Sequence, residues 1–302
     1  MTSSPTVFVL GATGNQGGAV ARQLRALHWN VHALVRDLLS PGAIELAAAG
    51  GILTEGTWDN TDALKDGIAG CDKLFLNLVP CIEELDRERQ QAVNIVNIAK
   101  AAGVTQIVST TSLGVSMYGT DDRLQPGLLH TLLGVKKGVE QAVVDGGLES
   151  YTLLRPAYFM ANFLQPNIDN YLDIVNDGVW KSALTADTQL GLVDHEDIAK
   201  VAVAAFRDPA QFNGREIGLA SEFLTAQEAM DRLGDAMGRP IKAAFMTDEE
   251  IAVQEQASVP VKLEKSMRYM IEYVDMKGLE AITPLTSFKE FLEREKKNVK
   301  KL

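Results

Sequence analysis

The sequence predicts an α/β fold: a doubly wound parallel sheet with a smaller α/β lobe interleaved toward its C-terminal end. Three observations predict it. Apolar, β-rich runs alternate with helical periods six times within the first half of the chain. Those runs are apolar almost without interruption, as strands covered on both faces are. After Pro156 the alternation stops, and order returns only in pieces.

The elements follow in order. "TVFVL" (6–10) is a strand, and "GGAVARQLRAL" (17–27) is a helix with Val20, Leu24 and Leu27 on one face. "VHALV" (31–35) is the second strand; "AIELAAAG" (43–50) is a short helix ended by Gly50. "GILTE" (51–55) and "TDALKDGIAG" (61–70) repeat the pair, and "KLFLNLV" (73–79) is the fourth strand. "EELDRERQQAVNIVNIAKAAG" (83–103) is a long helix with acids at its start and Lys100 near its end, as the helix dipole prefers. "QIVSTTS" (106–112) is a strand. A loop over 113–127 precedes the helix "LLGVKKGVEQAVVDGG" (132–147), and "SYTLLR" (150–155) is the sixth strand. Strand–helix–strand at this spacing means parallel strands joined by crossovers.

Beyond Pro156, residues 157–193 are aromatic and without period. "DHEDIAKVAVAAF" (194–206) then reads as a helix capped by Asp194, and "REIGLAS" (215–221) as a strand. Three capping boxes, Thr225 with Glu228, Thr247 with Glu250 and Ser287 with Glu290, each open a further helix. The expected division is a large domain over 1–155, completed by about 194–220, and a smaller substrate or partner lobe over 156–193 and 221–302.

Composition narrows the function. The 302 residues are 46% hydrophobic and 23% charged, a globular mixture, with a formal net charge of −11 and a pI near 4.9. That sign argues against direct nucleic-acid binding and against an anionic membrane surface. The lysines of "KEFLEREKKNVKK" (289–301) alternate with acids and read as a solvated terminal helix. Cys71 and Cys81 are too few for a disulfide scaffold and read as reduced thiols; with His28, His32, His130 and His195 they are not expected to form a metal site. The start, "MTSSPTVFVL", lacks a signal peptide's apolar core, and no apolar run approaches the roughly 18 residues of a membrane span. The expected location is cytoplasmic.

The chemistry begins at "VFVLGATGNQGGAV" (7–20). Gly11, Gly14 and Gly17 stand where the first strand gives way to the first helix. In a doubly wound sheet that turn lies at the ligand-binding edge. Gly11 permits a tight turn, Gly14 lets a pyrophosphate approach, and Gly17 lets helix pack on strand. The helix N-terminus, with Thr13, Asn15 and Gln16 beside it, presents free N–H groups to the phosphates. The spacing is GxxGxxG rather than GxGxxG, but it follows a strand, opens a helix and heads six strand–helix repeats. The expected architecture is therefore a dinucleotide-binding Rossmann sheet. At the end of the second strand, where an acid would hold the ribose of NAD, stands Arg36, with Asp37 next. A guanidinium there suits the 2′-phosphate of NADP; Asp37 leaves NAD open.

"GATGNQGGAVARQL", the "LVRD" after the second strand, "KKGVEQAV", "LLRPAYFMANFL" and "FNGREIGLASEFLTAQE" together resemble the NmrA-like family of atypical short-chain dehydrogenase/reductase proteins, across nearly the whole chain. The resemblance implies further cofactor contacts. Thr57 and Trp58, in "GTWDN", would lie by the adenine, with Thr57 where the family usually has an acid. Asn77, Leu78 and Val79 would pass under the adenosine half. Lys136, in the family's K-x-x-x-E with Glu140, would reach the nicotinamide ribose; from periodicity alone the two form a helix-surface pair. Pro156 and Tyr158 would border the nicotinamide. Asn162 matches the family's M-E-N asparagine, although Ala161 replaces the acid.

Ordinary short-chain reductases pair a tyrosine with a lysine four residues on. The expectation here is that this dyad is absent, at Tyr118, Tyr151, Tyr158, Tyr171, Tyr269 and Tyr273 alike, and Leu132 stands four residues before Lys136. In its place Lys136 would polarise or protonate a substrate, Tyr118 or His130 could donate a proton, and Ser112 could orient the substrate. Tyr158, Phe159, Phe163 and Trp180, with Asn162, suggest an apolar substrate site, or equally the core of the smaller lobe. Three functions fit: an NADP-dependent oxidoreductase acting on a hydrophobic carbonyl, enone or imine; an NADP(H)-binding redox sensor that regulates a protein partner; and a non-redox enzyme such as an isomerase.

Overall fold

The computed structural model describes residues 4–81, 83–254 and 259–299. Its packing divides the chain into two units. The first comprises Met1–Val115, Leu132–Arg155 and Ile198–Ile217; the second comprises Ser116–Thr131, Pro156–Asp197 and Gly218–Leu302. Residues 116–131, read from sequence as part of the large domain, thus group with the smaller unit.

In chain order the elements begin with β1 (Thr6–Val9), α1 (Asn15–Ala26), β2 (Asn30–Val35), α2 (Pro41–Ala48), β3 (Ile52–Glu55), α3 (Thr61–Ile68), β4 (Lys73–Asn77), α4 (Arg87–Ala101), β5 (Gln106–Thr110), α5 (Leu128–Asp145) and β6 (Ser150–Pro156). They continue through β7 (Tyr158–Phe159), α6 (Leu172–Asp177), β8 (Val179–Ser182), β9 (Gln189–Val193), α7 (His195–Arg207), α8 (Pro209–Phe212), β10 (Arg215–Leu219), β11 (Glu222–Thr225), α9 (Ala226–Met237), β12 (Lys242–Phe245), α10 (Asp248–Gln254), α11 (Val259–Met270), α12 (Met276–Ile282) and α13 (Phe288–Arg294).

The first unit is built on a seven-stranded sheet in the order β10-β6-β5-β4-β1-β2-β3. Every pairing from β6 to β3 is parallel. Phe8, Leu74, Leu76 and Ile107 of the strands are fully buried against Leu64, Ile95 and Ala99 of the helices. Burial on both faces explains the unbroken apolar runs. The strand order reverses between β1 and β4, so the loops after these two strands lie at the switch point where such sheets bind ligands. Helix α1 ends one residue earlier than its apolar period: Leu27 is the C-cap and 40% exposed, and His28 follows at φ 59°.

The second unit holds a three-stranded sheet, β11-β9-β7, and a two-stranded one, β12-β8. All three capping boxes form: the Thr225, Thr247 and Ser287 backbone N–H groups each donate to the glutamate three residues on, and that glutamate's own N–H donates back to the hydroxyl. Asp194 does more than cap α7. It accepts from Glu196 N–H and from both ends of the Arg294 guanidinium, at 2.7 and 2.9 Å. The terminal helix is not solvated all round, because Phe288, Phe291 and Leu292 of α13 are buried.

Candidate functional site

The glycine loop sits at the switch point of the first unit, and its three glycines are bare for different reasons. Gly11 adopts φ +67°, a left-handed conformation that side chains disfavour, and a Cβ there would meet Asn77 Nδ2 at 3.0 Å. A Cβ on Gly17 would lie 2.4 Å from the Gly11 carbonyl oxygen and 2.6 Å from that of Leu10. Both positions are dictated by the fold itself. Gly14 is not. It is exposed, its backbone is extended (φ −100°), and a Cβ would touch only the Gly11 oxygen at an ordinary 3.4 Å. Nothing in the polypeptide itself requires glycine there, and a group approaching from outside would meet bare backbone.

Gly14 is also the N-cap of α1, and it has no side chain to satisfy the helix's first N–H groups. Thr13 and Asn15 are exposed beside it; Gln16 is half-buried and accepts from Thr110 Oγ1 at 2.9 Å, which ties the loop to the end of β5. The first turn of α1 carries no acid. An exposed helix start with a bare cap and no competing carboxylate is a place for an anion.

After β2, Arg36 and Asp37 separate in role. The Asp37 carboxylate accepts from Leu39 N–H at 2.8 Å and closes the local turn that leads into α2. Arg36 is exposed and makes no ion pair or side-chain hydrogen bond among the described residues. After β3, Thr57 is exposed, whereas Trp58 is half-buried and packs on the sheet's core cluster. After β4, Leu78 is buried and Val79 is 62% exposed.

Lys136, on α5, does not pair with Glu140. Its Nζ donates to Glu88 Oε1 of α4 and, at 3.2 Å, to the carbonyl oxygen of Leu78 at the end of β4. Glu140 belongs to a separate buried network: it accepts from Nε and Nη2 of Arg155 at 2.8 and 2.7 Å and from Thr111 Oγ1 at 2.8 Å. Burial pushes the Glu140 carboxyl up, but Arg155, Thr111 and Lys137 outweigh it and hold it below its ordinary value. The helix-surface reading of Lys136 is therefore replaced by a lysine held just beyond the C-terminal end of β4.

Glu88 escaped the sequence reading. It lies in the charged string "DRERQQ", yet it is 1% exposed, its Oε2 has no hydrogen-bond partner among the described residues, and burial raises its carboxyl against the pull of Lys136. A signal was there: Glu88, Gln91, Ala92, Ile95, Val96 and Ala99 share one helical face, so an acid heads the apolar stripe of α4.

The remaining candidates are placed as follows. In the first unit, Ser112 is half-buried and its Oγ accepts from Gly114 N–H at 3.3 Å. In the second unit, the rings of Tyr118 and His130 stack obliquely, 4.7 Å between centroids, and His130 helps line a polar recess of about 350 Å³ with Asp121 and Gln125. Phe163 and Trp180 are buried; Phe163 packs against Tyr158, Tyr171, Trp180 and Phe288 at 5.5–6.0 Å, in the core of this unit. Tyr158, Phe159 and Asn162 are half-buried, and Pro156 closes β6. The Tyr158 and Tyr171 hydroxyls bond to each other, and burial pushes both phenols up, so they stay protonated at neutral pH.

The structure and sequence correct two expectations: that no tyrosine stands four residues before a lysine, and that no two histidines stand at the HxxxH spacing of metal ligands. One Y-x-x-x-K string does exist, Tyr273 to Lys277. It is no helical dyad: Tyr273 ends a 3-10 turn (Ile271–Tyr273), Asp275 caps α12, and Lys277 lies beyond that cap. The Tyr273 hydroxyl donates to Asp121 at 2.8 Å; burial and this carboxylate push the phenol up, the reverse of what a tyrosine base needs. Likewise His28 and His32 stand four apart, but one follows α1 and the other lies in β2, so they do not share a helical face. Among the described residues no three His, Cys, Asp or Glu side chains gather to hold a metal, and no helix is long and apolar enough to cross a membrane.

Comparison with known proteins adds to this geometry. The model of the NmrA-like family matches residues 3–293. An NAD(P)H azoreductase of Xenophilus azovorans is 28% identical over 244 residues, 81% of this chain and 78% of that one. A (4-alkanoyl-5-oxo-2,5-dihydrofuran-3-yl)methyl phosphate reductase of Streptomyces griseus is 31% identical over 239 residues, 78% and 75% of the two chains. Among solved structures, NmrA, a negative transcriptional regulator crystallised with NADP, superposes with a TM-score of 0.73 at 19% identity, over 96% of this chain and 95% of that one. At that identity the likeness speaks for the fold alone.

Proposed function

The chain belongs to the NmrA-like family, and on that premise we propose that it is a cytoplasmic NADP-dependent oxidoreductase that reduces a hydrophobic carbonyl, enone or imine without the helical tyrosine–lysine dyad. The observation that carries the reading is Gly14: a helix cap kept bare although the fold would accept a side chain there. A pyrophosphate is the group that needs such a cap.

Around it, Gly11 and Gly17 shape the loop, and the N–H groups from Thr13 to Gln16 meet the phosphates. Arg36 grips the 2′-phosphate, since its neighbour Asp37 is engaged in its own turn. Thr57, Trp58, Asn77, Leu78 and Val79 border the adenosine half. Lys136 reaches the nicotinamide ribose, and Pro156 and Tyr158 border the nicotinamide. The reduced cofactor, when bound, supplies a hydride. The chain's part is to bind, orient and provide the proton. Lys136 carries protons at Nζ; the Ser112 hydroxyl accepts from Gly114 and keeps its own hydrogen for a substrate oxygen; Tyr118 and His130 form a further donor pair in the second unit. Phe159, Asn162 and the half-buried face of Tyr158 present the mixed apolar and polar surface a hydrophobic substrate needs, with Phe163 and Trp180 packed behind. Two relatives named as reductases support the activity, and the oxo-dihydrofuran in one name is a conjugated, enone-like ring.

A second reading has one specific observation in its favour. The structural neighbour crystallised with NADP is a transcriptional regulator, so a redox sensor acting on a protein partner is the alternative. NADPH oxidation measured against quinones, enones, cyclic imines and azo dyes separates the two. Turnover of one class is expected; tight NADPH binding with no turnover across the panel sinks the enzyme reading and leaves the sensor.

A further inference from the structure

Helices α4 and α5 of the first unit meet where both carry charge. A Cβ on Gly138 of α5 would fall 2.6 Å from Cδ of Arg89 on α4. Glycine at 138 therefore lets the first turn of α4 reach α5, and across that contact Glu88 meets Lys136. The side chains are 1% and 14% exposed.

An ammonium has three N–H donors. Lys136 gives one to Glu88 and one to the Leu78 carbonyl; the third has no partner among the described residues. The surrounding charges are taken elsewhere. Arg87 pairs with Asp59 and Glu84, Arg89 with Asp86, Lys137 with Glu140 and Glu216, and Glu140 with Arg155. The Glu88 Oε2, buried and unpartnered, marks the pair as poor stabilisation on its own account. A contact needed only to join α4 to α5 would do at least as well with two apolar residues.

We propose that Glu88 is the positioning residue of the cofactor site, holding the Lys136 ammonium against the end of β4 with one N–H donor left for a ribose hydroxyl. The inference rests on the reading of Lys136 as a cofactor contact. Glu88 acts through the lysine alone: it supplies the counter-charge to an ammonium in a place with little water, and it removes the rotamers that would carry Nζ away from Leu78.

The experiment is calorimetric titration of the full chain with NADPH at pH 7, for the wild type, Glu88→Gln, Lys136→Met and the double variant. Glu88→Gln is expected to bind about tenfold more weakly than the wild type, because the amine is no longer held against Leu78 by a counter-charge. Lys136→Met should be at least as weak, and the double variant no weaker than Lys136→Met. Glu88→Asp, which keeps the charge, should bind more nearly like the wild type and so guards against a folding defect in Glu88→Gln. Losses that add in the double variant, or wild-type affinity in Glu88→Gln, overturn the positioning role alone. Unchanged binding by Lys136→Met overturns the lysine's assignment and this proposal with it, and no binding by the wild type overturns the cofactor site itself.

Discussion

A Cβ on Gly17 would lie 2.4 Å from the carbonyl oxygen of Gly11, a distance no side-chain carbon tolerates and no flexible group can relieve, since the obstacle is backbone. Gly14, three residues earlier, meets nothing closer than 3.4 Å. The two glycines therefore separate folding from binding. Gly17→Ala is expected to cost about 1–3 kcal/mol of stability or more, by overpacking, and to lower the melting temperature visibly. Gly14→Ala should melt like the wild type but bind NADPH at least tenfold more weakly, about 1.4 kcal/mol. Thermal denaturation and calorimetry on the same samples read both. Full-strength binding by Gly14→Ala would mean that no phosphate approaches this cap.

Arg36 tests which dinucleotide the site takes. Its neighbour's carboxylate is bonded to Leu39 N–H, so the guanidinium is the group left to face a ribose substituent. Losing hydrogen bonds to a charged phosphate costs about 1.5–3 kcal/mol. Arg36→Ala should thus weaken NADP roughly tenfold to a hundredfold while NAD changes by no more than about twofold. Arg36→Lys should recover only part, because an ammonium cannot make the two-pronged contact. Equal losses for both dinucleotides would remove the 2′-phosphate from the assignment.

The sheet and the glycine loop could be read from sequence because both are local. A strand covered on both faces writes itself as an apolar run, and a capping box declares itself by two residues three apart; all three boxes form as spaced. The site's charges are not local. Lys136 and Glu140 are neighbours on a helix turn, yet each pairs with a residue from another element, Glu88 of α4 and Arg155 of β6. Spacing along one helix cannot choose between a near partner and a better one brought by the fold. The aromatics after Pro156 pose the same difficulty: Phe159 stands four residues and Tyr158 five before Phe163, but only packing decides that Phe163 is core and Tyr158 half-buried.

Glu264 on α11 gives a pH test in the second unit. Its carboxylate accepts from Ala183 N–H at 2.8 Å and Ser182 Oγ at 3.0 Å, but burial outweighs them and raises the carboxyl above its ordinary value. The folded chain then holds this proton to higher pH than the unfolded chain does. Between the two values the folded state binds more protons, so this group's contribution to stability rises as pH falls and is least favourable at neutral pH. Asp194 has the opposite sign: burial raises it, Arg294 more than reverses this, and its contribution is lost as pH falls below the ordinary carboxylate value. Only a difference isolates Glu264. Glu264→Gln should melt a few degrees higher than the wild type at pH 7.5, on the scale of about 1 kcal/mol for a chain of this size, and the gap should close toward pH 5. A gap that is constant with pH would place the effect in packing rather than ionisation.

The two cysteines should separate by reactivity. Cys71 follows α3, is 3% exposed, and lies with its Sγ 3.6 Å from the Gly67 carbonyl oxygen; burial, with Asp72 nearby, pushes its thiol up to about 12. At pH 8 only about one molecule in 10⁴ then carries the reactive thiolate, and none of it faces solvent. Cys81 is half-buried, past the end of β4, with its Sγ 3.5 Å from the Glu83 carboxylate. A disulfide-exchange reagent at pH 8 is expected to titrate one thiol promptly in the native protein and the second only as denaturant unfolds the first unit, along the same curve as the loss of secondary structure. Prompt reaction of both would show that the turn from Gly67 to Cys71 opens without global unfolding.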